Sequence, residues 1–442
     1  MQLSIEKLVY GGEGLARLPD TPPAARPGRG KAVFVPFVLP GEGVEAKLTE
    51  EKPGFARAVA EQILSPSPRR VAPKCPYFGR CGGCHYQHTD YEHQLEIKTG
   101  ILKETLRRLA KLELAQVTPR ASPPWHYRNR TRMKVGAGGE FALGYFRFGT
   151  HELLPVEECP ISSPLINRAI AALWELGRAG KVTRQIFEVE FFVNAEDSQL
   201  MLELNVPDGY WTDRKKPTLL DTVASVRAAL PAIEGVSVFK ATETGALVRE
   251  EVPEKLWELF GEDVLEYHAA SALYHVSAGS FFQTNRFVTD TLVALVTDGR
   301  SGGYALDLYA GTGLFTLPLS QGFREVAAVE AAPFAAHDLK QNCPENVTVY
   351  RSSAEQFLGS IGHDASFDYV VVDPPRSGLG EAVTRRLAQL APPRMTYVSC
   401  DPATLARDLR ILLDAGFQVG QAHLVDLFPQ TFHIESVVQL AK

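Results

Sequence analysis

Residues Tyr304-Ala-Leu-Asp307-Leu-Tyr309-Ala-Gly311-Thr-Gly313-Leu-Phe315 run from an apolar strand straight into a glycine turn. A strand–glycine turn–helix start of this kind belongs to a doubly wound α/β sheet, so it fixes the class of the C-terminal third. The next apolar strand, Val326-Ala-Ala-Val-Glu330, ends in an acid that can take ribose hydroxyls. A dinucleotide fingerprint wants Gly or Ala at position 316, where helix and strand approach closely and a pyrophosphate is cradled; Thr316 stands there. The half-site therefore suits S-adenosylmethionine, which carries no phosphate.

Two further strands end in chemistry-bearing residues. Phe367-Asp-Tyr-Val-Val-Val-Asp373 leads into Pro374-Pro375-Arg376, and Met395-Thr-Tyr-Val-Ser399 leads into Cys400-Asp401-Pro402. The Asp-Pro pair stops the strand and opens a helix. Doubly wound order sets the ends of strands four and five beside strand one, so Asp373 and Cys400 are expected to flank the cofactor's reactive end. A helix N-terminus next to Cys400 is expected to help hold it as thiolate. A lone cysteine is ordinarily a core residue; this one's position at a strand's carboxyl end argues otherwise. The terminal stretch Phe428-Pro-Gln430-Thr-Phe432-His433-Ile-Glu435 puts a carboxylate among apolar residues, where a cap or surface Glu is the default.

Four of the six cysteines fall into a second pattern: Cys75, Cys81 and Cys84 within Cys-x5-Cys-Gly-Gly-Cys-His85, and Cys159 followed by Pro160. The N-terminus lacks a basic start with an apolar core, and no stretch has membrane-spanning length, so the chain is read as cytoplasmic and the cysteines as metal ligands. Zinc sites usually pair two close Cys-x-x-Cys knuckles; three close thiolates plus a distant Cys-Pro suit a [4Fe-4S] cluster better. His85 and His88 are read as bystanders.

With 442 residues, 45% hydrophobic and 22% charged, the chain is long enough for two or three domains. Short alternating strands to about residue 65, broken by a Pro/Gly/Arg loop from Asp20 to Gly30, suggest a small OB-like barrel. Phe34, Phe37 and Phe55 beside Arg17, Lys31, Lys47 and Arg57 are stacking and phosphate candidates, and each aromatic serves equally well as barrel core. His93 to Leu114 reads as a helix, with Leu95, Leu102, Leu106 and Leu109 inward and Lys98, Lys103, Arg107 and Lys111 outward. A net charge of −6 argues against wholesale nucleic-acid coating. Yet Arg128, Arg130, Arg132 and Lys134 share one face of a strand with no acid between them, which favours phosphate contact over a solvated face. Residues 140–270 continue as mixed strands and helices without a motif.

The first 65 residues resemble the TRAM domain, an RNA-binding barrel. Taken together, Cys-x5-Cys-Gly-Gly-Cys, Phe281-Phe282-Gln283, Asp307-Leu-Tyr-Ala-Gly-Thr-Gly, Asp373-Pro-Pro-Arg, Val398-Ser-Cys400-Asp-Pro and Phe428-Pro-x-Thr-x-His-x-Glu435 resemble the RNA (uracil-5-)-methyltransferases, specifically their 23S ribosomal RNA branch. The resemblance spans almost the whole chain. It implies three units: a TRAM/OB-like RNA-binding barrel over 1–65, a central α+β iron–sulfur and RNA-binding domain over 66–275, and a Rossmann-like methyltransferase domain over 276–442. It also implies that Gln283, Tyr309, Gly311, Gly313, Glu330 and Asp373 form the S-adenosylmethionine site, Cys400 is the nucleophile, Glu435 is the base, and Cys75, Cys81, Cys84 and Cys159 hold [4Fe-4S]. Phe34 and the basic row would meet the RNA, and the protein would act as a monomer away from membranes. Ala310 departs from the family's usual cysteine and Asp401 from its asparagine; neither removes a required group. Transfer RNA is the alternative substrate. More distant are an exocyclic-amine methyltransferase, which would place an aromatic where Arg376 stands, and a non-catalytic RNA-binding iron–sulfur protein, which has no use for Glu330 or Glu435.

Overall fold

The computed structural model describes all residues except 19–29, 137–138, 208–215, 242–257 and 363, so the loop read from Asp20 onward lies outside the described residues except for Gly30. Alternating burial, as in Ala32–Pro36, closes six N-terminal strands over a small core: β1 (Gln2–Ser4), β2 (Lys7–Leu8), β3 (Glu13–Arg17), β4 (Ala32–Pro36), β5 (Gly43–Glu51) and β6 (Phe55–Ser65), in the order β1-β5-β6-β4-β3-β2. Val33, Val35, Val44, Ala46, Ala56 and Ala58 fill it. The barrel docks on the rest of the chain through Lys7 with Glu104, Arg70 with Glu42 at 2.6 and 2.7 Å, and Phe37 against Phe78 and Phe148. Phe37 is thus an internal packing residue rather than a base-stacking one.

Helix α1 (Tyr91–Thr105), N-capped by Asp90, ends in one wide turn over Leu106–Ala110. That turn inserts an extra residue per helical repeat, which rotates Leu109 outward to 52% exposed, against the expected inward face. Lys98, expected outside, is fully buried because Asp426 meets it at 2.6 Å. Strand β7 (Thr118–Arg120) follows.

A second sheet contains β8 (Arg130–Val135), β9 (Leu143–Phe146), β10 (Leu153–Pro155), β11 (Glu188–Val193), β12 (Leu200–Pro207), β13 (Ile233–Ala241) and β14 (Glu258–Gly261), in the order β10-β9-β8-β11-β12-β13-β14. Helices α2 (Pro164–Arg178) and α3 (Lys216–Ala229) accompany it. A hairpin of β15 (Val264–Ala269) and β16 (Ala272–Ser277) then leads to α4 (Thr289–Thr297).

The third sheet is built from β17 (Gly302–Leu308), α5 (Thr316–Gly322), β18 (Phe323–Glu330), α6 (Pro333–Asn342), β19 (Val347–Arg351), α7 (Ala354–Ser360), β20 (Tyr369–Val372), α8 (Gly380–Leu390), β21 (Arg394–Ser399), α9 (Pro402–Asp414), β22 (Gln418–Val425) and β23 (Glu435–Ala441). Its order, β19-β18-β17-β20-β21-β23-β22-β7, has a parallel five-strand core in the expected doubly wound sequence, with β23 antiparallel to β21. The last strand in that order, β7, comes from far up the chain: Thr118 pairs with His423. Ile101, Leu102, Leu106 and Val117 share a core with Leu306, Val370 and Leu424. Residues 91–120 therefore pack as part of the C-terminal layer, and three consecutive blocks do not describe the packing. A further core joins Phe192 and Met201 of the second sheet to Tyr267 and Tyr274 of the hairpin and to Val371, Val398 and Val437 of the third. Among the described residues no helix is long and apolar enough to cross a membrane.

Candidate active site

At the carboxyl end of β17 the backbone turns through Tyr309 (φ 66°), Gly311 (φ 57°) and Gly313 (φ 99°). A left-handed tyrosine is strained, and such strain persists where the surroundings enforce it. A Cβ at Gly311 would meet nothing within 4 Å, so the turn leaves open space. Beside it Glu330 accepts the Gly311 N–H at 2.9 Å and the Ala332 N–H at 2.7 Å, which fixes its carboxylate while leaving lone pairs for a ligand's hydroxyls. Asp307, buried below, accepts the Thr316 hydroxyl at 2.6 Å, and its other oxygen has no partner. Burial pushes Asp307 up to about 7. The Thr316 bond is the local reason a threonine replaces the fingerprint's small residue. The buried Gln283 lies on the segment after the hairpin, where Asn129 Nδ2 donates to its carbonyl at 2.9 Å. An open glycine turn flanked by a pinned acid fits an adenosyl ligand.

Two strands further along, the sheet brings Cys400 and Glu435 together. Ser399 pairs with Ser436 in the antiparallel β21–β23 register, so the next residue on one strand stands opposite the preceding residue on the other. Asp401 caps α9, accepting the Ala403 and Thr404 N–H groups at 2.9 Å, which turns the chain sharply after Cys400. Burial, Glu435 and Asp373 together push the Cys400 thiol up to about 12, and Arg376 pulls it down. Desolvation, and after it two neighbouring carboxyls, thus work against the thiolate expected from the helix N-terminus. Burial and Asp373 raise Glu435 well above the carboxylate range, against Arg376; burial and Asp307 raise Asp373 to about 7. His433, 3.4 Å from Arg376, is driven down to about 3 by burial and that guanidinium, so it is neutral.

The segment carrying Glu435 is held from beneath. Lys98 Nζ donates to Asp426 and, at 2.9 Å, to the Phe428 carbonyl. Gln94 Nε2 donates to Gln430 Oε1 at 3.0 Å, and the Gln430 N–H returns the bond to Gln94 Oε1. The His85 and Tyr86 N–H groups both donate to the Gln430 carbonyl, at 2.8 and 3.0 Å. The residues that follow Cys84 are therefore bonded directly to the stretch that leads to Glu435.

Cys75, Cys81, Cys84 and Cys159 line one cavity of about 290 Å³, together with Gln87, Arg128 and Tyr145. Burial, then the neighbouring cysteines, push Cys81 up to about 11 and also raise Cys84. The sulfurs surround the cavity rather than meet at a point: among the described residues no three Cys, His, Asp or Glu side chains stand close enough for a single metal ion. Two buried donors on the lining residues, Gln87 Nε2 and Arg128 Nε, lack partners. Four thiols and two free donors around a hollow fit a polynuclear group better than one ion. His85 and His88 do not line the hollow.

The basic row is corrected. Arg130 bonds to Glu190 and, at 3.0 Å, to Glu203; Arg132 bonds to Glu190; Lys134 bonds to Glu188. Those acids come from β11 and β12, where cross-strand register sets Glu190 opposite both Arg132 and Glu203. Arg130 is only 8% exposed, so it cannot reach a phosphate. Arg128 turns instead toward the cysteine cavity, its guanidinium 6.0 Å from the Phe428 ring centre. On the barrel, Phe34 packs on Phe55 at 5.9 Å, with Lys52 and Arg57 over the Phe55 ring at 5.7 and 5.9 Å.

Sequence reasoning missed Arg376, Lys98 and Tyr10 as site residues. Tyr10, which precedes Gly11-Gly12 in the barrel, donates its hydroxyl to the Cys400 carbonyl at 3.2 Å. Its only signal was an aromatic before a double glycine.

Comparison with known proteins agrees with this geometry. The tRNA (Uracil-5-)-methyltransferase family profile matches residues 255–442 and the TRAM domain profile residues 1–60. The chain is 35% identical over 451 residues to an uncharacterized RNA methyltransferase of Aquifex aeolicus, covering 100% of this chain and 98% of that one. It is 33% identical over 419 residues to the 23S rRNA (uracil(1939)-C(5))-methyltransferase RlmD of Pectobacterium atrosepticum, covering 92% and 88%. In fold it is similar to the tRNA (uracil-54, C5)-methyltransferase of Pyrococcus abyssi, solved with S-adenosyl-L-homocysteine, at TM-score 0.74 and 24% identity with both chains covered in full. With the Pectobacterium relative 33% identical over 92% of this chain, the chain belongs to the RNA (uracil-5-)-methyltransferase family, an S-adenosylmethionine-dependent enzyme with an N-terminal TRAM domain.

Proposed function

We propose that this enzyme methylates a uridine of 23S ribosomal RNA in the cytoplasm through a covalent bond between Cys400 and the base. The observation that carries the reading is the β21–β23 register that puts Cys400 beside Glu435, with Asp373 and Arg376 at the same edge. The 23S assignment rests on relatives named for that substrate, at 30–33% identity over at least 92% of this chain.

Carbon 5 of uracil is too weak a nucleophile to take a methyl unaided. The Cys400 proton leaves to Asp373, which at about 7 is partly ionised, Sγ bonds to carbon 6, and the electron pair moves through the ring onto the carbon 4 oxygen. S-adenosylmethionine, held by Gln283, Tyr309, Gly311, Gly313, Glu330 and Asp373, supplies the methyl as an electrophile on a sulfonium whose positive charge favours the thiolate. Glu435 then takes the carbon 5 proton, and the Sγ–carbon 6 bond breaks to restore the ring. Arg376 draws Glu435 toward its ionised form. The target base must leave its stack to reach this edge, and the Phe34–Phe55 patch with Lys52 and Arg57 suits the flanking single strand. Cys75, Cys81, Cys84 and Cys159 would hold a [4Fe-4S] cluster, and Arg128, which lines the same cavity, would offset its negative charge.

Glu435→Gln tests the mechanism. Addition and methyl transfer proceed, proton removal does not, and a denaturation-resistant protein–RNA adduct carrying labelled methyl accumulates; Glu435→Gln with Cys400→Ala forms none. Turnover by Cys400→Ala would sink the covalent reading. Mapping 5-methyluridine in ribosomal and transfer RNA of a deletion strain decides the substrate.

A further inference from the structure

The turn between β2 and β3 is tightly built. The Val9 N–H donates to the Glu13 carbonyl at 2.9 Å and the Gly12 N–H to the Val9 carbonyl at 3.2 Å. Gly11 and Gly12 take φ values of 105° and 87°, which side-chain-bearing residues rarely adopt. A Cβ at Gly12 would lie 3.0 Å from the His85 Cβ, so the turn sits flat on the residue that follows Cys84. This close seat carries Tyr10 across to the catalytic sheet. Its ring meets Phe432 edge-on at 5.4 Å, and its hydroxyl donates to the Cys400 carbonyl at 3.2 Å, bridging 390 residues of sequence.

That carbonyl has a particular need of a donor. Ser399 closes the β21 ladder, while the first bond of α9 runs from the Leu405 N–H to the Asp401 carbonyl. The Cys400 carbonyl falls between strand and helix and belongs to neither. The N–H of the same peptide unit, on Asp401, has only a long bond to the Ser399 hydroxyl at 3.3 Å, so without the Tyr10 donor the unit is held at one end, and its rotation swings the Cα–Cβ bond that aims Sγ. Burial and the negative charge around Asp401 and Cys400 raise the Tyr10 hydroxyl above its ordinary value, so it stays a donor at every working pH.

We propose that Tyr10 is a positioning residue: its hydroxyl fixes the Cys400 peptide so that Sγ is aimed at carbon 6, which makes the N-terminal barrel a structural part of the catalytic centre as well as an RNA-binding module. The inference rests on Cys400 as nucleophile. Tyr10→Phe in the full-length enzyme keeps the ring on Phe432 and removes the hydroxyl, with its bond to the Cys400 carbonyl and its contact with the Asp401 carboxylate. The expected result is a drop in kcat on the order of tenfold, the worth of one such bond, with KM for RNA and the melting temperature unchanged. In the Glu435→Gln background, Tyr10→Phe should slow adduct formation by the same factor, since the loss falls on the addition step. A purely structural role would lower the melting temperature and leave both rates alone, and a purely RNA-binding role would raise KM alone; either outcome overturns the proposal, as does an adduct rate within twofold of the parent. Activity in Cys400→Ala, by contrast, would overturn the nucleophile assignment on which it stands.

Discussion

Two nests of buried charge in this enzyme make opposite use of burial. In the second sheet Glu190 lies among Arg130 and Arg132; burial works to raise it, yet the two guanidinium groups win and hold it below the usual carboxylate range. At the edge of the third sheet, Asp373, Cys400 and Glu435 are gathered with one another and with a single exposed cation, Arg376, and burial pushes all three up. The first nest is neutralised by opposite charge and locks a sheet together. The second is kept near neutrality by holding protons, and protons can move. Burial of ionisable groups therefore does not mark a catalytic centre by itself; burial with little counter-charge, at the carboxyl edge of the sheet, is the better pointer.

The comparison breaks most visibly at Glu435. Glu435→Gln should lower steady-state turnover by on the order of 10²- to 10⁴-fold while leaving the melting temperature at or above that of the parent, because an amide no longer carries a buried ionisable group. A large loss of stability would mean that this carboxyl, too, is structural. Glu190→Ala should show the mirror image. Removing Glu190 leaves the buried Arg130 with Glu203 alone and Arg132 with Glu188; the lost charge-assisted bonds should cost about 1.5–3 kcal/mol of stability by denaturant titration, while kcat of the folded fraction in the cold stays near that of the parent.

The two nests also differ in pH response. Asp307, raised to about 7 by burial, is protonated when folded and ionised when unfolded between its ordinary value and about 7. Its contribution to stability is complete at low pH and declines as pH rises through that window. Asp307→Asn, measured without cofactor, should flatten this decline. Glu190 has the opposite sign: its contribution is present above the ordinary glutamate value and is lost as pH falls through its lowered folded value. The smallest effect belongs to the half-exposed Arg132, whose Glu190 partner keeps Arg130. Arg132→Gln should cost no more than about 1 kcal/mol and leave the salt slope of RNA binding unchanged. A slope that drops by about one would restore the row to phosphate contact.

These differences trace what could be read from the chain. The parallel core order and the place of Cys400 at a strand's carboxyl end follow from local rules, because strand ends, glycine turns and an Asp-Pro stop are written in consecutive residues; by those rules Glu435 reads as a cap or surface residue, and only the family resemblance ties it to Cys400. The basic row misled for the converse reason. Its neutralising acids sit in Glu188-Val-Glu190 and at Glu203, an alternation visible in the sequence, but only cross-strand register shows whose partners they are. The same holds for Lys98, whose outward placement on a helical wheel was sound until Asp426 arrived from the far end of the chain. The raised Cys400 thiol needed the full set of carboxyls around it, and Tyr10 needed the docking of a separate barrel.

Strand β7 has a consequence for how the enzyme is made. Thr118 waits for His423 and Lys98 for Asp426, so about 300 residues must be synthesised before either finds its partner. At roughly 5–20 residues per second that is about 15–60 s during which the apolar face of α1, with Ile101, Leu102 and Leu106, has no sheet to cover it. The barrel's own strands close long before, so a nascent or prematurely ended chain carries a finished RNA-binding module beside an uncovered helix. Because α9 packs on that helix and its terminal turn, and Asp426 and the β23 strand that brings Glu435 to Cys400 follow directly after it, the helix is covered and the Cys400 edge completed in the same last stretch of synthesis.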